Sequence, residues 1–124
     1  MNSSSARGIV DDISFDREVV ELCVKKLGFS TTTVANEQDM LKSLQDEIPD
    51  CILLDWEMGE TNGIELLKKI RLLDSEDKTK VVFCTSNDHP SYVGHAYTQG
   101  ADGFIGKPIT IQKLSDKLNE IGLL

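Results

Sequence analysis

The chain has 124 residues, close to the commonest size of a single domain and long enough to bury about two-thirds of the surface its unfolded form exposes. Asp and Glu number 21 against 13 Lys and Arg, a net charge of −8 that repels nucleic acid and anionic membrane surfaces, so neither is an expected partner. No apolar run approaches the roughly 20 residues of a membrane span, and the start, MNSSSAR, lacks the apolar core of a secretory signal, so the expected location is the cytoplasm.

The first five residues read as a flexible tail and residues 6–124 as one domain. A weak strand is expected at 6–10, followed by a helix behind Ser14 as N-cap, with Phe15, Val19, Leu22, Cys23 and Leu27 on its apolar face and Gly28 ending it. A second weak strand at 31–34 precedes a helix marked by Met40, Leu41, Leu44 and Ile48. The continuous apolar run 51–54 is a buried strand, and Ile64, Leu67 and Ile70 mark the third helix. Strand 81–84 leads to a short helix with Val93, Ala96 and Tyr97, closed by Gly100. Strand 103–105 leads to a fifth helix capped by Thr110 and carrying Ile111, Leu114, Leu118 and Ile121.

Periods of two and 3.6 alternating along the whole chain predict an α/β fold of five strand-helix units, in which right-handed crossovers place helices on both faces of a parallel sheet. Cys23, Cys51 and Cys84 are widely spaced within apolar segments, without the close spacing of a zinc or redox motif, and are expected as buried free thiols.

In such sheets ligands bind beyond the carboxyl ends of the strands. Those positions hold Asp11 and Asp12 after the first strand, Asp55 after the third, Thr85 and Ser86 after the fourth, and Lys107 after the fifth. Any one Asp at a strand end is as readily a loop or cap residue. Three crowded carboxylates either raise a pKa or recruit a cation, and hard oxygen donors suit Mg²⁺. A carboxylate beside such a cation can attack phosphorus, with a nearby ammonium neutralising the phosphoryl oxygens, roles for which Asp55 and Lys107 are placed.

The segments IVDDISF at 9–15, LLDWEMGETNG at 53–63, VVFCTS at 81–86 and GADGFIGKPI at 100–109 resemble the response-regulator receiver family, in order and nearly over the full chain. The resemblance implies a flavodoxin-like, doubly wound (βα)5 sheet of strand order 2-1-3-4-5. It implies a phosphorelay switch in which Asp55 accepts a phosphoryl group from a phosphohistidine. Asp12 would bind Mg²⁺ directly, Asp11 mostly through water, and Glu57 through its backbone carbonyl, with Asp55 as the remaining protein ligand. Thr85 matches the hydroxyl that turns toward the phosphoryl group, Lys107 the family's lysine, and Phe104 the aromatic switch position, here without a hydroxyl. A cis Lys107–Pro108 bond is expected on the same basis.

Partners implied are a sensor histidine kinase or histidine phosphotransfer protein as donor. Downstream stands a protein target, or an output domain missing from this sequence, reached through the fourth helix, fifth strand and fifth helix. Beyond its own phosphorylation and dephosphorylation no enzymatic activity is expected. The sequence departs from the family at Gly59, where proline is usual, and at Arg7 and Gly8, which make the first strand less apolar. Glu57 and Asn87 stand where the family tunes the lifetime of the phosphorylated state, and His89 and His95 are expected on the solvated surface. The competing readings are a flavodoxin-like cofactor binder, which lacks its phosphate loop here, and an Asp-nucleophile phosphatase, which would carry its nucleophile after the first strand. A degenerate receiver used as a phosphorylation-independent scaffold is a third.

Overall fold

A computed structural model describes residues 6–11, 13–58, 61–74, 79–86 and 90–124. Its elements are β1 (Ala6–Val10), α1 (Ser14–Lys26), β2 (Ser30–Val34), α2 (Glu37–Asp46), β3 (Cys51–Asp55), β4 (Glu57–Met58), β5 (Thr61–Asn62), α3 (Gly63–Leu73), β6 (Lys80–Thr85), α4 (Pro90–Thr98), β7 (Gly103–Gly106) and α5 (Ile111–Glu120). The main sheet runs β2-β1-β3-β6-β7, all parallel, which is the expected 2-1-3-4-5 order of the five long strands.

The two faces of the sheet bury different sets. Ile9, Leu53, Val82 and Ile105 pack with Val20 and Val24 of α1 and with Leu114 and Leu118 of α5. Val10, Leu54 and Phe83 pack with Met40 of α2, with Leu66, Leu67 and Ile70 of α3, and with Ala96 of α4. Side chains alternate across the strands, so a strand covered on both faces needs apolar residues at every position. β3, buried throughout, shows this.

Several local expectations hold. Thr110 caps α5 by accepting from the Lys113 amide at 3.1 Å; Gly28 and Gly100 take the positive φ values, 95° and 107°, that end α1 and α4. All three cysteines are free and buried.

Others are corrected. Ser14 is the first residue of α1 rather than its cap; Ile13 holds the cap position without a side-chain bond, and its amide donates instead to Asp11 Oδ1 at 3.0 Å. The buried face of α1 is Val20, Cys23 and Val24, leaving Phe15 70 % and Leu22 60 % exposed. Two apolar stripes interleave on this helix, and the one meeting both β1 and α5 is buried. Ile48 lies beyond the end of α2 and is exposed, as are Tyr97 and Ile111. The antiparallel pair β4–β5 was not foreseen, since its two-residue strands carry no periodicity.

At the amino ends of the strands, Arg71 ties α3 to its neighbours. Its guanidinium donates to the carbonyls of Thr79 at 2.6 Å and Gly100 at 2.7 Å and to Asp102 at 2.8 Å. Asp102 also accepts the Val81 amide, and Asp74 that of Thr79. Arg7, far from weakening β1, is buried with its guanidinium 3.8 Å from the Phe29 ring centroid and donates to the Leu123 carbonyl. Among the described residues no helix is long and apolar enough to cross a membrane.

Candidate functional site

Parallel pairing in register brings the carboxyl ends of the strands together. Val10 pairs with Leu54, Asp55 with Cys84, and Thr85 with Gly106, so Asp11, Asp55, Thr85 and Lys107 follow at one end of the sheet. Asp11, Asp55 and Thr85 are buried. Asp12, Gly59, Asn87 and His89 lie outside the described residues; Glu57 opens β4, two residues beyond Asp55.

Lys107 is the hub. Its Nζ donates to Asp11 Oδ2 at 2.9 Å and to Asp16 Oδ2 at 3.0 Å, and lies 3.6 Å from Asp55 Oδ1. The backbone fixes where it starts: the Lys107 amide donates to the Thr85 carbonyl at 2.7 Å, and the Lys107–Pro108 bond is cis, as expected. Burial alone would lower the Lys107 pKa, but the hydrogen bonds to Asp11 and Asp16 and the charges of Asp55 and Asp11 outweigh it and raise the value well above the usual lysine range. The side chain therefore stays an ammonium.

Asp11 is held from several sides. Its amide donates to Val34 at 3.2 Å, and its carbonyl accepts Arg17 Nη1 at 2.7 Å. The carboxylate thus has little freedom to turn from Lys107. Burial among apolar neighbours pushes the Cys51 thiol up to about 12 and the Cys84 thiol higher, so neither is a nucleophile near neutral pH.

Sequence reasoning missed three residues here. Asp16 reads in the sequence as an acid favouring the amino end of a helix, yet its carboxylate shares Lys107. Gly63 reads as the end of a motif, yet its amide donates to the Trp56 carbonyl at 2.7 Å, and a Cβ there would run into the Phe83 ring and lie 2.9 Å from the Asp55 carbonyl oxygen. Trp56 is buried with its ring centroid 4.9 Å from that of Phe83 and 6.4 Å from that of His95 on α4. His95 is exposed, as expected, though not without contact. Phe104, half-buried on β7, packs against the cluster containing Phe83 and Ala96.

The response regulator receiver domain matches residues 8–119. The chain belongs to this family. It is 33% identical over 114 residues to the chemotaxis protein CheY-3 of Vibrio cholerae, covering 91% of this chain and 88% of that protein. It is 30% identical to the chemotaxis protein CheY of Pseudomonas aeruginosa, covering 91% and 92%. Among solved structures it is similar to CheY4 of Vibrio cholerae, with a TM-score of 0.88 at 24% identity over 95% of this chain and 98% of that one. Membership of the receiver family excludes the flavodoxin-like cofactor binder and the Asp-nucleophile phosphatase as descriptions of the chain.

The oxygen-only donor set fits a hard divalent cation better than zinc or copper. Among the described residues no three His, Cys, Asp or Glu side chains group closely enough to hold a metal ion. Asp11 and Asp55 nevertheless face one ammonium, at 2.9 and 3.6 Å, and Asp12 follows Asp11 in sequence.

Proposed function

We propose that this receiver domain is a phosphorelay switch whose phosphoryl acceptor is Asp55. The observation that carries the reading is the convergence of Asp11, Asp55 and the Lys107 ammonium at the carboxyl end of the sheet. In the proposed step an Asp55 carboxylate oxygen attacks the phosphorus of a phosphohistidine on a sensor kinase or phosphotransfer protein. A P–O bond forms as the P–N bond breaks, and the departing imidazole nitrogen keeps the electron pair and takes up a proton. Lys107 neutralises charge spreading over the transferring oxygens, and Thr85, ending the neighbouring strand, donates its hydroxyl to one of them.

Asp11, Asp12, Asp55 and the Glu57 backbone carbonyl would hold Mg²⁺. When bound it supplies the remaining positive charge at the phosphoryl group. The chain's own contribution is to fix the acceptor. Gly63 packs under the Asp55 carbonyl, and buried Trp56 anchors the next residue against Phe83. The domain catalyses only its own phosphorylation and dephosphorylation. Its response reaches a protein partner through α4, β7 and α5, with Phe104 and Thr85 as the moving residues; lacking a hydroxyl, Phe104 changes state by packing alone.

Incubation with acetyl phosphate and Mg²⁺, followed by intact mass measurement, tests this. One added phosphoryl group is expected on the wild type and none on Asp55→Asn, with both proteins folded. An unchanged wild-type mass, or equal labelling of the variant, overturns the assignment.

A further inference from the structure

Lys107 sits between three carboxylates, and its two hydrogen bonds go to Asp11 and Asp16; Asp55 is reached only at 3.6 Å. Asp11 is itself anchored through its backbone and Oδ1, so it is a fixed partner. Asp16, in the first turn of α1 and 32% exposed against 3% for Asp11 and 6% for Asp55, is the partner that solvent can replace when the ammonium moves. The Asp16–Lys107 pair borders a cavity of about 70 Å³ between α1 and the β7–α5 connection, floored by Val19, Val20 and Ile109. Departure of Lys107 toward Asp55 therefore requires no repacking of a closed core at Asp16.

We propose that Asp16 is a positioning residue that competes with the phosphoryl group for Lys107 and so slows phosphorylation of Asp55. The inference rests on Asp55 being the acceptor. Before transfer Asp55 carries one negative charge; the transferring phosphoryl brings more onto the same site and draws the ammonium toward it. The bond to Asp16 is then strongest in the ground state and weakened in the transition state, and an interaction of that kind raises the barrier. Asp11 does not act this way, because its anchored carboxylate stays beside Asp55 in either arrangement.

The test measures the initial rate of phosphoryl incorporation from acetyl phosphate with Mg²⁺, by intact mass, for wild type, Asp16→Ala, Asp16→Glu and Glu18→Ala. Glu18 is an exposed acid on the same helix and controls for simple removal of a negative charge near an anionic donor. Asp16→Ala should label about two- to fivefold faster than both wild type and Glu18→Ala, the range a partly exposed ion pair supports. Asp16→Glu should return toward the wild-type rate. A rate for Asp16→Ala no higher than that of Glu18→Ala overturns the inference while leaving Asp55 as the acceptor.

If the wild type does not label at all, the acceptor assignment fails instead. The pairing is then read from urea unfolding in EDTA of Asp16→Ala, Lys107→Ala and the double variant. Asp16→Ala should shift the unfolding constant by about two- to fivefold less when Lys107 is already absent. Equal shifts in both backgrounds overturn the pairing itself.

Discussion

The two ends of the sheet both bury charge, but they balance it differently. At the amino ends two cations face two carboxylates: Arg71 meets Asp102 at 2.8 Å and Asp74 at 3.7 Å and donates to two carbonyls, and Lys80 lies 3.9 Å from Asp102. The carboxylates there accept backbone amides as well. At the carboxyl ends one ammonium faces Asp11, Asp16 and Asp55. Charge in the first cluster is spread over fixed backbone partners and serves to join α3, β6 and the α4–β7 turn. In the second, negative charge exceeds what the ammonium can match, a standing cost to the folded state that the proposed cation would relieve.

The largest effect should come from breaking the balanced end. Arg71→Met leaves Asp74, Asp102 and the Thr79 carbonyl without their shared cation and should lower stability by about 3 kcal/mol, read as a lower urea midpoint at unchanged slope. A loss under about 1 kcal/mol would mean that water replaces the guanidinium and that this end is not a structural joint.

Gly63→Ala is next, at about 2 kcal/mol, because the added methyl meets the Phe83 ring and the Asp55 carbonyl. Its signature is combined: lower stability together with slower phosphorylation, since the backbone of the proposed acceptor, Asp55, shifts. A destabilised protein that still labels at the wild-type rate would separate Gly63 from the site.

Alkaline pH sharpens the comparison further. Burial raises the folded-state pKa of Cys51 to about 12 and also that of Cys84. The stability this gives is fully present below the unfolded thiol value of about 8.5 and is lost, at about 1.4 kcal/mol per pH unit per thiol, as pH climbs toward the folded values. Lys107, also raised, acts with the same sign above about pH 10.4. Urea midpoints should therefore fall steeply from about pH 9 upward, and Cys51→Ala should show a shallower fall from its own lower starting point. Equal slopes in the two proteins would show that the Cys51 thiol ionises alike in both states.

What the sequence revealed follows the same division. Asp11, Asp55, Thr85 and Lys107 were legible because a parallel sheet sends residues at strand ends to one place whatever the details of packing. Asp16 was not, because an acid in a first helical turn has a sufficient local explanation. Arg7 looked like a fault in β1 because its partners, Phe29 and the Leu123 carbonyl, are remote in sequence from it. Periodicity groups the exposed Phe15 and Leu22 with the core because it identifies an apolar stripe without saying which of two stripes meets α5.

Smallest in size, and nearest the central claim, is the removal of one site charge. Asp55→Asn should raise stability in EDTA by about 0.5–1 kcal/mol, since relief of repulsion is partly offset by the partner that Lys107 loses. The decisive measurement is urea unfolding of wild type, Asp55→Asn and Arg71→Met in EDTA and in MgCl₂ at matched ionic strength. At about 100 times the dissociation constant, Mg²⁺ should stabilise wild type by about 2.7 kcal/mol. Arg71→Met should start lower and gain as much, while Asp55→Asn should start higher and gain little. Equal gains in all three proteins, or an Asp55→Asn protein weaker than wild type in EDTA, would contradict the account of the carboxyl end as a charge cluster held for a cation and a phosphoryl group.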